Sequence, residues 1–307
     1  MSSPTLQLQT LPLQRLPLPN GFRPQDFLTF HGRDKLAVSE SVTGNTLQKA
    51  IVWKDRPALL TLVFDLNVVK YHLALDDPLL HIGGEETLQL VQHILGLTQA
   101  IAGFEQAFAT HPLLSAMIAE QAGLRVPVSV SPFEALTWAI IGQQVSLSAA
   151  IAMRRKFIQQ ANIRHSSGFY CYPSPAQVSQ MSVESLRLAG LSQSKANTLL
   201  KVSELMLTGH LPLDDWLHHQ VSPELIANSL AAIKGIGPWT ISYALLRGYG
   251  WLDGSLHGDA AVRRAIRGLM ALEQLSDKEA EHWLKPFSPW RALLAAHLWA
   301  WQSRSPG

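Results

Sequence analysis

Two hydrophobic periods divide the chain. Between residues 36 and 75 apolar and polar positions alternate over short runs. Leu36–Val42, Leu47–Trp53, Ala58–Phe64 and Val68–Leu75, rich in Val, Leu and Thr, predict four strands. Turn chemistry separates them at Thr43-Gly44-Asn45, Lys54-Asp55-Arg56-Pro57 and Asp65-Leu66-Asn67. A parallel crossover needs about a dozen residues, so gaps this short predict antiparallel hairpins. From about Glu85 the apolar spacing becomes helical and stays so to the end.

The helical part carries its own start and stop signals. Ser131-Pro132-Phe133-Glu134 reads as a capping box with Pro132 at the first helical position, and Phe133, Leu136, Ile140 and Ile141 fall on one face. Further starts are Ser222-Pro223-Glu224, Ser276 with Glu279, and Ser288-Pro289. Gly190, Gly209 and Gly248 stand where helix C-caps are expected. His165-Ser166-Ser167-Gly168 and Tyr172-Pro173-Ser174-Pro175 read as loops. No heptad run or solenoid repeat occurs. The pattern predicts an α+β protein: a sheet-rich antiparallel N-terminal part followed by helices.

Composition narrows the function classes. At 307 residues and 47% hydrophobic the chain can bury a large core. No stretch approaches the ~20 uninterrupted apolar residues of a spanning helix. Met1 to Pro19 has neither a basic start nor a continuous apolar run, so secretion is not expected and a cytoplasmic location is. The lone Cys171 has no partner for an internal disulfide and excludes a four-thiolate zinc or iron–sulfur site. The net charge of +2 hides an asymmetry. Residues 1–130 hold 9 Lys/Arg against 11 Asp/Glu, and residues 131–307 hold 16 against 12 and eight of the nine Trp. A mildly basic, Trp-rich second part suits a polyanion.

The most informative segment is Ile233-Lys234-Gly235-Ile236-Gly237-Pro238-Trp239-Thr240. A helix ends near Gly235, and Pro238 is placed to open the next. Glycines two apart let another molecule approach the backbone, and amides beside a helix N-terminus suit a phosphate oxygen. A plain helix–turn–helix corner capped by glycines fits the same residues. Asp259 follows about twenty residues later, before a helix with apolar Val262, Ile266 and Leu269. On spacing alone it reads as an N-cap.

Gly235-Ile236-Gly237-Pro238-Trp239-Thr240 with Asp259 resembles the helix–hairpin–helix glycosylase superfamily, and more closely the bacterial 3-methyladenine DNA glycosylase II family. The similarity extends through Phe133-Glu134-Ala135, Ile141-Gly142-Gln143-Gln144-Val145-Ser146, Cys171-Tyr172-Pro173-Ser174-Pro175 and Pro289-Trp290-Arg291-Ala292-Leu293-Leu294. It covers most of 125–307 in order and is looser over 1–124. The resemblance implies a monofunctional DNA glycosylase of base-excision repair. Such an enzyme flips alkylated bases of the 3-methyladenine and 7-methylguanine type from duplex DNA and hydrolyses the N-glycosidic bond.

The resemblance implies a layout of a sheet-rich N-terminal domain (1–105), a helical domain with the helix–hairpin–helix (131–251) and a second helical subdomain from 106–130 and 252–307, and it also implies roles. Asp259 matches the catalytic carboxylate, opposite an oxocarbenium-like sugar. Trp239 stands where strand-cutting members of the superfamily resemble one another in carrying a Schiff-base Lys, which implies simple hydrolysis. Trp239, Tyr243 and Trp290 match the aromatic base pocket, whose ring faces would favour a cationic base; core packing fits each of them too. Gln143, Gln144, Gly235, Ile236, Gly237 and Thr240 match DNA-contacting positions. Gln144 replaces the family's apolar wedge, and His257-Gly258 replaces a Pro-Asp pair; His257 reads as a solvated loop residue. No cofactor is expected and no iron–sulfur cluster. A structural monovalent cation would sit at the hairpin on the carbonyls of Ala231, Ile233 and Ile236. His218-His219 reads as a solvated loop and Arg154-Arg155-Lys156 as a solvated helix face. The expected partner is double-stranded DNA containing damaged bases, met by a monomer at the nucleoid, with no membrane. The rivals are a non-catalytic DNA-binding module that kept the hairpin, and an enzyme for an oxidised or mismatched base.

Overall fold

The computed structural model describes residues 13–77 and 83–303. Most of the N-terminal stretch read above as lacking a leader lies outside them. The chain is α+β, an antiparallel sheet followed by helices. Strands β1 (Gln14–Pro17), β2 (Glu40–Thr43), β3 (Thr46–Trp53), β4 (Arg56–Asp65) and β5 (Val68–Leu75) form one sheet in the order β1-β5-β4-β3-β2. Helix α1 (Pro24–His31) lies between β1 and β2 in sequence. Leu47 faces Leu62, and Ile51 faces Ala58, so one side of the sheet is apolar except at Lys49, which lies between them. It packs on Phe27 and Leu28 of α1 and on Leu90, Val91 and Ile94 of α2 (Gly84–Ile94). Among the described residues no helix is long and apolar enough to cross a membrane.

The hairpins form as the turns predict, with three differences. The expected strand Leu36–Val42 shrinks to β2, with Ala37 in left-handed conformation at φ 49°. β1 was not foreseen, because four residues ending in proline carry no alternation signal. Nor was α1, whose Pro24 start lacks a side-chain cap.

Thirteen helices complete the described fold: α3 (Ile101–Ala107), α4 (Ser115–Glu120), α5 (Pro132–Gly142), α6 (Leu147–Ala161), α7 (Pro175–Ser179), α8 (Val183–Leu188), α9 (Gln193–Leu207), α10 (Leu213–His218), α11 (Pro223–Ala231), α12 (Pro238–Tyr249), α13 (Ala260–Leu269), α14 (Asp277–Leu284) and α15 (Arg291–Gln302). Two apolar clusters organise them. One joins α5, α6, α9, α11 and part of α12. The other joins α3, α4, α13 and α15 to the opposite side of α12. Ile101 and Phe104, before residue 106, pack into this second cluster.

The central pair is α5 against α12. Helix α5 does not present a single apolar face: Pro132 to Thr137 and Ala139 to Ile141 are all buried. A helix enclosed on every side needs no stripe. Gly248 is not a C-cap but an interior residue of α12. A Cβ there would lie 3.0 Å from the Pro132 Cα and 3.2 Å from the Ala135 Cβ, so its hydrogen sets how closely the two helices cross. The cap is Gly250, at φ 69°. Gly190 and Gly209 do follow helix ends with positive φ.

An ion cluster fastens the sheet to the helices. Lys49 points to the apolar side of β3, and its Nζ lies 2.8 Å from both Glu40 and Glu134. Arg154 reaches Glu134 at 3.1 Å, and His31 reaches Glu40 at 3.0 Å. Burial alone would raise the Glu40 carboxyl, but Lys49, Arg154 and His31 hold it well below the usual carboxylate range. The reading of 154–156 as a solvated face is therefore corrected. Arg154 belongs to this cluster, Arg155 pairs with Asp34 at 2.8 Å, and only Lys156 is exposed. His218 and His219 are exposed as expected, but they end α10 rather than forming a loop.

Candidate active site

The hairpin follows the end of α11 at Ala231, with Gly235 supplying the positive φ of the turn. Ile233 and Ile236 turn inward, and the Ile236 amide donates to the Ile233 carbonyl at 3.1 Å. Gly235 has φ 95°, and a Cβ on it would meet the Thr198 Oγ1 at 2.3 Å, so this position requires glycine twice over. Gly237 opens onto free space and precedes Pro238, the first residue of α12. The amide of Ile236 is spent inside the turn.

Gln143 ties this hairpin to the end of α5. Its Nε2 donates to the Gly235 carbonyl at 2.9 Å and to the Thr240 Oγ1 at 2.8 Å. Thr240 is buried and serves this bond instead of offering a surface. Lys195, which the sequence reading missed, caps the same helix end by donating to the carbonyls of Ile141 (2.8 Å) and Gln143 (2.7 Å). Gln144 follows, exposed and left-handed at φ 55°. Val145 and Leu147 beside it are exposed too.

Asp259 caps α13. Its Oδ1 accepts from the amides of Ala261 (2.9 Å) and Val262 (3.0 Å). The same oxygen accepts from the Trp299 indole N–H at 3.2 Å, and Oδ2 accepts from that of Trp239 at 3.1 Å. An N-cap alone would need the two amides only. The loop holding it is pinned to α15: Asp253 pairs with Arg291 at 2.8 Å, and the Leu252 carbonyl accepts from Ala292 and Leu293. His257 is partly buried and bonded to Ser255 at 2.9 Å, so it is not simply solvated.

Aromatic rings run along α12 from this carboxylate. Trp239 and Tyr243, one turn apart, have centroids 5.2 Å apart; Trp299 lies 6.2 Å from Tyr243. The Tyr243 hydroxyl accepts from the Trp138 indole at 2.8 Å. Trp290 is not in this row. It precedes α15, and its ring meets Phe104, Phe108 and Gly103. Trp299, nine residues on, supplies the α15 ring at Asp259. Helical spacing alone marks both tryptophans as core, so the sequence held no signal to prefer one.

The row ends near two arginines, Arg247 of α12 and Arg33 from the segment after α1. Buried Arg247, a turn beyond Tyr243, has its guanidinium carbon 5.9 Å from the Tyr243 ring centre, 5.6 Å from that of Trp299 and 4.3 Å from that of Phe30. It donates to the Pro127 carbonyl at 2.9 Å. Arg33 lies 4.0 Å from the centre of the same Phe30 ring. Burial and the neighbouring Arg247 push the Arg33 guanidinium down to about 10, which leaves it charged at neutral pH. Cys171 is buried beneath the sheet, its thiol pushed up to about 11 by burial, and takes no part. Among the described residues no group of His, Cys, Asp or Glu is placed to hold a metal ion.

Over residues 137–289 the chain matches the family described as HhH-GPD superfamily base excision DNA repair protein. Among curated proteins it is similar to DNA-3-methyladenine glycosylase 2 of Escherichia coli (strain K12), 29% identical over 60% of this chain and 64% of that one. It is also similar to YfjP of Bacillus subtilis (strain 168), provisionally named a DNA-3-methyladenine glycosylase, 30% identical over 61% of this chain and 64% of that one. The match thus spans less than two thirds of the length of either relative. The fold is shared with the 3-methyladenine DNA-glycosylase from Archaeoglobus fulgidus, at a TM-score of 0.81 and 21% identity, over 95% of this chain and 99% of that one.

Proposed function

We propose that this protein is a monofunctional DNA glycosylase that extrudes an alkylated base from duplex DNA and hydrolyses its N-glycosidic bond. The observation that carries the reading is the environment of Asp259. Two backbone amides and two indoles hold it at one end of an aromatic row. As the C1′–N bond breaks, positive charge develops on the sugar, and a fixed carboxylate below C1′ stabilises it. Oδ2 has a single donor and keeps lone-pair capacity for the attacking water, whose proton it can accept. The extruded base would stack on Trp239, Tyr243 and Trp299.

Gly235 and Gly237 would receive a phosphate at the hairpin, and Gln144 would enter the duplex where the base left. A monovalent cation is compatible with the hairpin. The carbonyls of Ala231, Ile233 and Ile236 are hard oxygen donors at a helix end, and they would neutralise part of a bound phosphate's charge through the ion. Trp239 leaves no amine for a Schiff base, so the strand stays intact. The test is single-turnover base release from alkylated and unmodified duplexes. Release from alkylated DNA alone supports the reading, and binding without release of any base would leave a DNA-binding protein only.

A further inference from the structure

We infer that Lys195, in the first turn of α9, is a further DNA-contacting residue: its ammonium takes a backbone phosphate beside the hairpin while it fixes the chain that carries Gln144. This rests on the glycosylase reading of the same surface.

The first two turns of α9 join the two parts of that surface. Thr198 Oγ1 lies 3.1 Å from the Lys234 carbonyl, and it is the atom that a Cβ on Gly235 would strike. Lys195, one turn earlier, donates from Nζ to the carbonyls of Ile141 and Gln143 at 2.8 and 2.7 Å. Gln143 completes the circuit by donating to the Gly235 carbonyl at 2.9 Å. Lys195 is therefore bonded to the residue before Gln144, and that residue is bonded to the hairpin. Gly235 and Gln144 are both exposed, and Lys195 itself is partly so.

Capping the end of α5 does not exhaust this lysine. An ammonium has three donors, and two of them are spent. A helix C-terminus carries roughly half an elementary negative charge, against the whole positive charge of the lysine. No carboxylate makes up the difference. Among the described residues Lys195 forms no ion pair, and loss of solvent alone pushes its ammonium below the ordinary value. Lys49, Lys54, Lys70 and Lys201, by contrast, each face a carboxylate. A cation partly withdrawn from water, with charge left over and one donor free, is completed by an anion from outside. Beside a hairpin that receives one phosphate, that anion is a neighbouring phosphate of the same duplex.

Binding of an abasic-site duplex is measured between about 50 and 200 mM salt for the wild type, Lys195→Met, Lys195→Gln and Lys195→Arg. Melting temperatures and single-turnover release of alkylated bases are measured alongside. One lost phosphate contact makes the slope of log affinity against log salt shallower by about 0.9. That change is expected for the Met and Gln variants, with about tenfold weaker binding at the low-salt end. Lys195→Arg keeps the charge and should keep the wild-type slope. Lys201→Met removes an exposed charge of the same helix, already paired with Glu204, and should leave the slope unchanged. A purely structural lysine would change the melting temperature and not the slope. If Lys195→Met does not fold, Lys195→Gln carries the test, since its amide can donate to a carbonyl in the ammonium's place. An unchanged slope in a folded neutral variant, or an equal change in Lys201→Met, overturns the inference and leaves the glycosylase reading intact. Wild-type binding without base release overturns the glycosylase reading, and the slope still decides the role of Lys195. A wild type that binds no duplex overturns both.

Discussion

The indole N–H of Trp239 donates to Asp259 Oδ2 at 3.1 Å, joining the first turn of α12 to the N-cap of α13. The bond places the residue that follows the Gly-x-Gly hairpin directly against the carboxylate. Hairpin and carboxylate are therefore one unit, and on the proposed function DNA held by the hairpin would be held in register with Asp259.

Asp259→Asn tests that unit. Asn caps a helix about as well as Asp, so the melting temperature and DNA binding should stay near those of the wild type. Base release should fall by on the order of 10²–10³ or more, because the charge facing the sugar is gone. A well-folded variant that releases methylated bases at the wild-type rate would make Asp259 a cap and nothing else.

Borohydride should trap no covalent protein–DNA adduct during turnover. A Schiff base requires an amine at the sugar, and the side chain beside Asp259 in the hairpin helix is Trp239. Efficient trapping would show that another lysine reaches C1′.

At Gln144 the left-handed backbone and the proposed role pull in opposite directions. A non-glycine residue at this φ costs about 1–2 kcal/mol, so Gln144→Gly should not lower stability. The same variant should bind an abasic-site duplex more weakly, since nothing then fills the gap, while Gln144→Leu should bind at least as well as the wild type. Equal affinity of all three proteins excludes Gln144 as the plug.

Lys49→Met should destabilise the fold by ~3–5 kcal/mol in urea titrations, because Glu40 and Glu134 are then left buried with less compensation. Adding Glu134→Gln to it should recover part of the loss. Additive losses would mean that the cluster does not behave as a coupled unit.

Acid should weaken the fold beginning below pH 6.5. Burial lowers His297 to about 3 and His93 to about 4, and lowers His31 as well, from an ordinary value of 6.5. Their folded values are depressed, so the unfolded chain takes up protons first, and stability present above pH 6.5 is lost as pH falls toward 4. Each such histidine contributes up to about 1.4 kcal/mol per pH unit in that range. Glu40 and Glu134, also depressed, add to the loss below about pH 4.5. The check is the urea midpoint between pH 7.5 and 5; a flat profile would contradict the buried neutral histidines.

Much of this was written in local pattern. The β-hairpins from Thr46 to Leu75 follow from alternation plus turn residues, since a strand with one apolar face has a single workable register. The helix starts at Ser131, Ser222 and Ser276 follow from caps that act over three residues. The hairpin follows from glycine's freedom at φ 95°. Asp259 was legible as a cap, and its chemistry only through the resemblance of the surrounding motif.

What the tertiary structure decided is every pairing between elements distant in sequence. Trp299 rather than Trp290 meets Asp259, because the pinned loop at Asp253 sets which turn of α15 faces the site. Arg154 is a buried ion-pair partner rather than a solvated charge, because Glu40 and Glu134 converge on it from a strand and another helix. Gly248 is a packing surface rather than a cap, because α5 crosses there. Arg33 and Arg247 share the Phe30 ring only because the segment after α1 packs against α12. Local propensity acts over a few residues along the chain, whereas charge pairing and close packing act through space, between groups that only the folded chain brings together.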